Sequence, residues 1–306
     1  MKKLNVWIGV MGLLFLVTAC HPGVKKGGIL KVVSTTTMID DMVTNIGGDK
    51  VEAEVIMGAG VDPHLYKASE NDVNAFHRAD IIFYNGLHLE GKLVDLFERM
   101  EKGGKAVYAV SEKIPGESLI SSEAFSGNYD PHIWFDIALW QRAARAVYDR
   151  LVEHDPDNQA YFFENYSAYV KRLGSLDEKL KALIENLAPS QRILVTAHDA
   201  FNYFGQAYGF EVVGLQGIST VSEAGVKDVQ NLTQFIIAHG VKAIFVESSV
   251  PKKNIKALQE ALKAKGFEVL IGGELFSDAL GSANTPEATY EGMFLYNVGT
   301  IVNALK

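Results

Sequence analysis

At 306 residues and 48% hydrophobic content, the chain is long enough for two compact lobes, each burying its own core. A formal net charge of -8 at pH 7 argues against a nucleic-acid partner, because neutralising phosphates requires clustered Lys and Arg. A single cysteine, Cys20, excludes an internal disulfide.

The start of the chain reads as a targeting segment. Lys2-Lys3 precede an apolar run from Val6 to Val17, too short for a comfortable membrane span, which closes on Val17-Thr18-Ala19-Cys20. This resembles a bacterial lipoprotein signal over residues 1–19, with Cys20 as the lipidated N-terminus. The competing reading is an ordinary secretory leader with an incidental cysteine. Residues 20–28, rich in Gly and Lys, read as a tether. The mature protein is then expected to be soluble but held to a membrane by acyl chains.

From residue 29 to 154 strands and helices alternate, which predicts a parallel α/β lobe. Strands are expected at Ile29–Thr35, Val51–Met57, Ile81–Tyr84 and Lys105–Val110. Helices are expected at Thr36–Ile46, after a Ser69 cap, at Glu90–Met100 and at Ala138–Val152. A long loop occupies roughly Ser111 to Asp130.

Asp155-Pro156-Asp157 is a helix start. Phe162, Tyr166, Tyr169, Leu173, Leu176, Leu180, Leu183 and Leu187 then recur at steps of four and three, predicting one linking helix over residues 155–188. Such a seam fits a coiled-coil dimer or packing across two lobes; its aromatic start favours the second, and a monomer. Residues 189–306 repeat the α/β style. Strands are expected at Arg192–Thr196, Glu211–Leu215, Ala243–Glu247 and Glu268–Ile271, and helices at Ala200–Tyr208, Glu223–His239, Lys252–Lys265 and Glu287–Leu305.

One tripeptide occurs twice, Asp62-Pro63-His64 and Asp130-Pro131-His132. Proline fixes its own φ and extends the preceding residue, so each histidine is presented from a stiff backbone. His198, in Thr196-Ala197-His198-Asp199, and Asp278, in Leu275-Phe276-Ser277-Asp278, complete the pattern. All four fall beyond the carboxyl ends of predicted strands, where open parallel sheets bind ligands, two from each lobe. Three imidazoles and a carboxylate make a four-donor site for a divalent metal. Glu247, at another strand end, and Asp199, beside His198, are candidate acceptors behind a ligand histidine. Asp62 and Asp130 are expected to bond backbone amides in their own turns. His21, His77, His88, His154 and His239 read as structural or solvated.

These motifs, with their continuations Leu65-Tyr66, Ile133-Trp134, Ala200-Phe201 and Ala279-Leu280, resemble the metal-binding lipoproteins of ABC importers, the TroA/PsaA/ZnuA-like cluster of solute-binding proteins. The resemblance covers essentially the whole mature chain. It implies two parallel α/β lobes joined by a long rigid helix, with His64, His132, His198 and Asp278 around one ion. It also implies delivery to a membrane permease with a separate ATPase subunit, on the outer side of the cytoplasmic membrane or in the periplasm. Manganese-dedicated members resemble this site but have a glutamate at the third position, and dedicated zinc carriers often have a histidine-rich loop before the second Asp-Pro-His. Here the third donor is His198 and Ser111–Tyr129 holds no histidine, so the chain is most like the three-histidine, one-aspartate (TroA) type. Zinc and manganese are then both expected cargoes; imidazoles and the intrinsic affinity order favour zinc.

Two other readings compete. A zinc hydrolase keeps three protein ligands and an open water position, and no His-Glu-x-x-His helix is present here. A surface adhesin is compatible with an exposed lipoprotein, but no repeat or loop argues for it.

Overall fold

A computed structural model describes residues 28–122, 125 and 127–306, so the leader, Cys20 and most of the tether lie outside the described residues. In the first lobe β1 (Leu30–Thr36), β2 (Val51–Met57), β3 (Ile81–Tyr84) and β4 (Val107–Ala109) are parallel and lie in the order β2-β1-β3-β4. Successive side chains of a strand face opposite ways. Val32 and Ile81 accordingly pack on α1 (Thr37–Gly47), while Val33 and Ile82 pack on α2 (Glu70–Arg78) and α3 (Val94–Lys102). Ser69 caps α2 reciprocally: its hydroxyl accepts from the Asp72 amide, and its own amide donates to the Asp72 carboxylate. The expected helix from Glu90 starts only at Val94. Glu90 instead turns inward, 1% exposed, and accepts from the Thr35 hydroxyl at 2.7 Å and the Asn85 amide at 2.8 Å. Next in the chain comes α4 (Ile137–His154), on the α1 side of the sheet.

The linking helix α5 runs over Gln159–Ile184, shorter than the expected 155–188. A 3₁₀ turn at Pro156–Asn158 precedes it, and Nδ2 of Asn186 donates to the carbonyls of Ala182 and Leu183 at its end. Phe162, Tyr169, Leu173, Leu176 and Leu180 are buried along one face, and Tyr148 stacks on Tyr166. That face meets α1 of the first lobe and α9 (Tyr290–Leu305) of the second. One apolar core therefore runs from Val32 through α5 to Leu305, which welds the lobes together.

In the second lobe β5 (Ile193–His198) pairs with β6 (Glu211–Gln216), and β7 (Ala243–Glu247) with β8 (Leu270–Leu275), all parallel. With β5 beside β7, the spatial order β6-β5-β7-β8 repeats that of the first lobe. α6 (Asn202–Tyr208), α7 (Val226–His239) and α8 (Lys253–Ala264) complete this half. β8 starts two residues after its expected start and runs to Leu275, through Gly272-Gly273. A Cβ at Gly272 would meet the Phe245 ring at 2.7 Å, so this pair of glycines marks close packing rather than a strand end.

Candidate metal centre

Both Asp-Pro-His loops have the same local device. The Asp62 carboxylate accepts from the His64 amide at 2.9 Å, and the Asp130 carboxylate accepts from the His132 amide at 2.9 Å. Such turns are set by residues two apart and orient the histidine before any tertiary contact forms. Gly60, at φ 74°, turns the chain out of β2 toward the first loop in a conformation other residues rarely adopt. His198 is the last residue of β5, and Asp278 follows β8.

The four side chains meet between the lobes. Nε2 of His64 lies 3.3 Å from Nε2 of His132. Asp278 turns Oδ1 to Nε2 of His132 at 3.5 Å and Oδ2 to Nε2 of His198 at 3.4 Å. One ligand atom from each residue can be chosen so that all lie within 4.8 Å of one another. His64 is 3% exposed and the other three at most 1%. The edge of the Trp134–His132 ring pair, with centroids 5.2 Å apart, helps to wall the site.

Buried polar atoms normally have partners. Here Nε2 of His198, Oδ1 of Asp278 and Nδ1 of His64 have no hydrogen-bond partner. The first two belong to the atoms that cluster at the common centre. An ion bonded tetrahedrally at about 2.0–2.1 Å separates its ligand atoms by about 3.3–3.4 Å. The His64–His132 separation of 3.3 Å matches that spacing, and the two Asp278 oxygens reach His132 and His198 at 3.5 and 3.4 Å.

Carboxylates stand behind two of the imidazoles. Asp130 Oδ1 lies 2.7 Å from Nδ1 of His132. Glu247 Oε2 lies 2.5 Å from Nδ1 of His198, and its Oε1 accepts from the His198 amide at 2.8 Å. Both arrangements direct Nε2 toward the centre. The Ser249 hydroxyl donates to Asp278 Oδ2 at 3.0 Å. Asp199 occupies a different place. It lines a cavity of about 550 Å³ with Gly214, Gln216 and Phe235, which none of the four donors lines.

The electrostatics suit a cation. Burial pushes His64 down to about 3, leaving it neutral at pH 7. Burial opposes charge on His198 too, but the Glu247 and Asp278 carboxylates outweigh it and hold this imidazole well above the usual range. Burial works to raise Asp278, yet His198, His64 and His132 together keep its carboxyl well below the usual carboxylate range.

The remaining histidines lie elsewhere. His77 and His88 are exposed, Nε2 of His154 contacts the Tyr108 hydroxyl at 3.1 Å, and Nδ1 of His239 contacts the Phe235 carbonyl at 2.9 Å. His21 lies outside the described residues. Asp130 is the residue whose contact with the His132 ring was missed in the sequence; its place two residues before His132 was the available signal.

Comparison with known proteins agrees with this geometry. The chain is 49% identical over 274 residues to the zinc-binding protein TroA of Treponema pallidum, covering 90% of this chain and 88% of that one. It is 44% identical over 295 residues to the manganese-binding lipoprotein MntA of Bacillus subtilis, covering 95% and 96%. The solved structure of the periplasmic zinc-binding protein TroA from Treponema pallidum superposes with a TM-score of 0.88 at 48% identity, covering 91% of this chain and 99% of that one. The model of the family described as ZnuA, zinc-uptake complex component A, periplasmic, matches residues 32–304, and the chain belongs to that family.

Proposed function

We propose that His64, His132, His198 and Asp278 bind one zinc or manganese ion as cargo, which the protein hands to an ABC-type permease and its ATPase subunit. The observation that carries this is the set of buried, mutually facing donor atoms spaced for one ion. The relatives named for zinc and for manganese support both ions as cargo. Asp130 and Glu247 orient His132 and His198, and Ser249 steadies Asp278.

Lipidation at Cys20 would tether the protein to the outer side of the cytoplasmic membrane or in the periplasm, with residues 20–28 as the leash. Among the described residues no helix is long and apolar enough to cross a membrane, which leaves the lipid as the anchor in this reading. The working unit is a monomer of two lobes, residues 29–154 and 189–306, joined through 155–188. Most of the α5 seam, Leu183 excepted, packs on α1, α4 and α9, which favours that state over a coiled coil. A hydrolase is disfavoured because a fourth protein donor stands where catalytic zinc keeps water.

The test is elemental analysis of protein purified without added metal, followed by zinc–manganese competition. One equivalent of transition metal per chain is expected. Protein that takes up neither ion would overturn the carrier reading.

A further inference from the structure

Given the carrier reading, the geometry points to Thr220 and Asp62 as a clasp that closes the metal site, and to the opening of that clasp as the step that frees the cargo. The Thr220 hydroxyl donates to Asp62 Oδ2 at 2.6 Å across 158 residues of sequence. The other oxygen of the same carboxylate holds the His64 amide at 2.9 Å. Asp62 thus ties a second-lobe segment, between β6 and α7, directly to the backbone of a ligand from the first lobe.

The two Asp-Pro-His loops differ sharply in how the second lobe grips them. Asp130 Oδ2 also accepts from the opposite lobe, from Asn202 at 3.1 Å. That loop has further anchors. The Tyr203 hydroxyl donates to the Asp130 carbonyl at 2.9 Å, and Trp134 Nε1 donates to the Ser277 carbonyl at 2.9 Å. The Tyr290 hydroxyl donates to the Trp134 carbonyl at 2.6 Å, and Phe135 stacks on Phe201 at 4.3 Å. Among the described residues, the Thr220 bond is the one hydrogen bond carrying the first loop across the cleft. Carboxylates also lie 2.7 and 2.5 Å from Nδ1 of His132 and His198, whereas Nδ1 of His64 has no hydrogen-bond partner and no ion pair among the described residues. His64 is therefore the donor least tied to the second lobe, and its loop crosses the cleft through one hydrogen bond.

The clasp is reachable from outside. Thr220 itself is 6% exposed, but Leu65 and Val221, each adjacent to a residue of this network, are 49% and 56% exposed. A partner pressing on those two apolar side chains bears on Thr220 directly through Val221, and through Leu65 on His64, whose amide Asp62 holds. His132, His198 and Asp278 meanwhile stay fixed by the packed side of the site.

The test is stopped-flow release of zinc into excess chelator. Thr220→Val removes the donor while keeping the shape. Loss of a hydrogen bond to a charged acceptor should speed release about tenfold or more. Zinc association should change far less, because the donors remain present. Thr220→Ser should restore slow release, and Asp62→Asn, which weakens the acceptor, should repeat the fast release. Tyr203→Phe, which cuts one of several anchors on the second loop, should have a smaller effect. The melting temperature of each metal-free variant checks that the fold is intact; should Thr220→Val fail to fold, Asp62→Asn gives the reading. Wild-type release rates in the folded variants would overturn the clasp. Absence of zinc binding in the wild type would instead overturn the carrier reading.

Discussion

Nε2 of His64 and Nε2 of His132 lie 3.3 Å apart, although 68 residues separate them in the chain. At that distance two buried imidazole nitrogens can share one hydrogen between them, with the donor set by tautomer. A shared cation would replace that single hydrogen bond with two metal–nitrogen bonds.

Removing one ligand should weaken metal binding severely. Structural zinc sites bind with about 10–16 kcal/mol, or about 2.5–4 kcal/mol for each of four ligands, which is about 100-fold or more in affinity. His64→Ala and Asp278→Ala are expected to lose at least that much in chelator competition. Both should still fold, since the core that joins the lobes through α5 does not depend on the ion.

Glu247→Gln tests the carboxylate behind His198. Its Oε1 can still accept from the His198 amide, but the charge facing Nδ1 is gone. A loss of about 10–100-fold in affinity is expected, with correct folding. Asp130→Asn should act similarly through His132, whereas Asp199→Asn, at a carboxylate that bonds Asn202 and feels His132 and His198 only through space, should cost less affinity than either.

Metal binding should expel a proton at neutral pH. In the metal-free protein His198 holds its proton well above the usual histidine range, because Glu247 and Asp278 outweigh the cost of burial. The ion requires the neutral ring, so affinity should rise by about tenfold per pH unit until the His198 proton is gone, then level off. Calorimetry in buffers of different ionisation enthalpy should show release of about one proton per ion at pH 7. No buffer dependence would contradict a charged His198.

The same shifts set opposite trends in metal-free stability. The raised His198 contributes stability that is complete below the unfolded value of about 6.5 and lost as pH rises through its folded value. His64, lowered to about 3 by burial, acts the other way: its contribution is lost as pH falls from about 6.5 toward 3. Melting temperatures of metal-free wild type and His198→Gln, measured from pH 5 to 9, separate the two. The difference between them should shrink as pH rises.

Gly174 offers a stabilising change. It sits inside α5, and a Cβ there would meet no atom within 4 Å. Gly174→Ala should stabilise the fold by about 0.5–1 kcal/mol, read by denaturant titration, without altering metal affinity. Leu176→Ala, two residues on and on the buried face, should instead cost about 2–5 kcal/mol.

Much of this protein was legible in its amino-acid order because the relevant forces are local. The Asp-Pro-His turns depend on residues two apart, the alternating strands on a period of two, and α5 on repeats of three and four. All of these survive translation into structure with only their ends adjusted. Where local signals fall short, packing decides: the strand expected to end at Ile271 continues through Gly272-Gly273 against Phe245, and Glu90, expected in a helix, is buried under Thr35 and Asn85.

What tertiary structure alone decided is the partnering of charges across distance. Asp130 stands behind His132 and Glu247 behind His198, while nothing stands behind His64. Asp62 reaches Thr220 from the opposite lobe. Such contacts depend on how two sheets and one long helix are placed in space, and no periodicity along a chain encodes which loop tips will meet. The sequence by itself determined which donors are available and how each is presented; the packing of the lobes determined which of them is held firmly and which can let go.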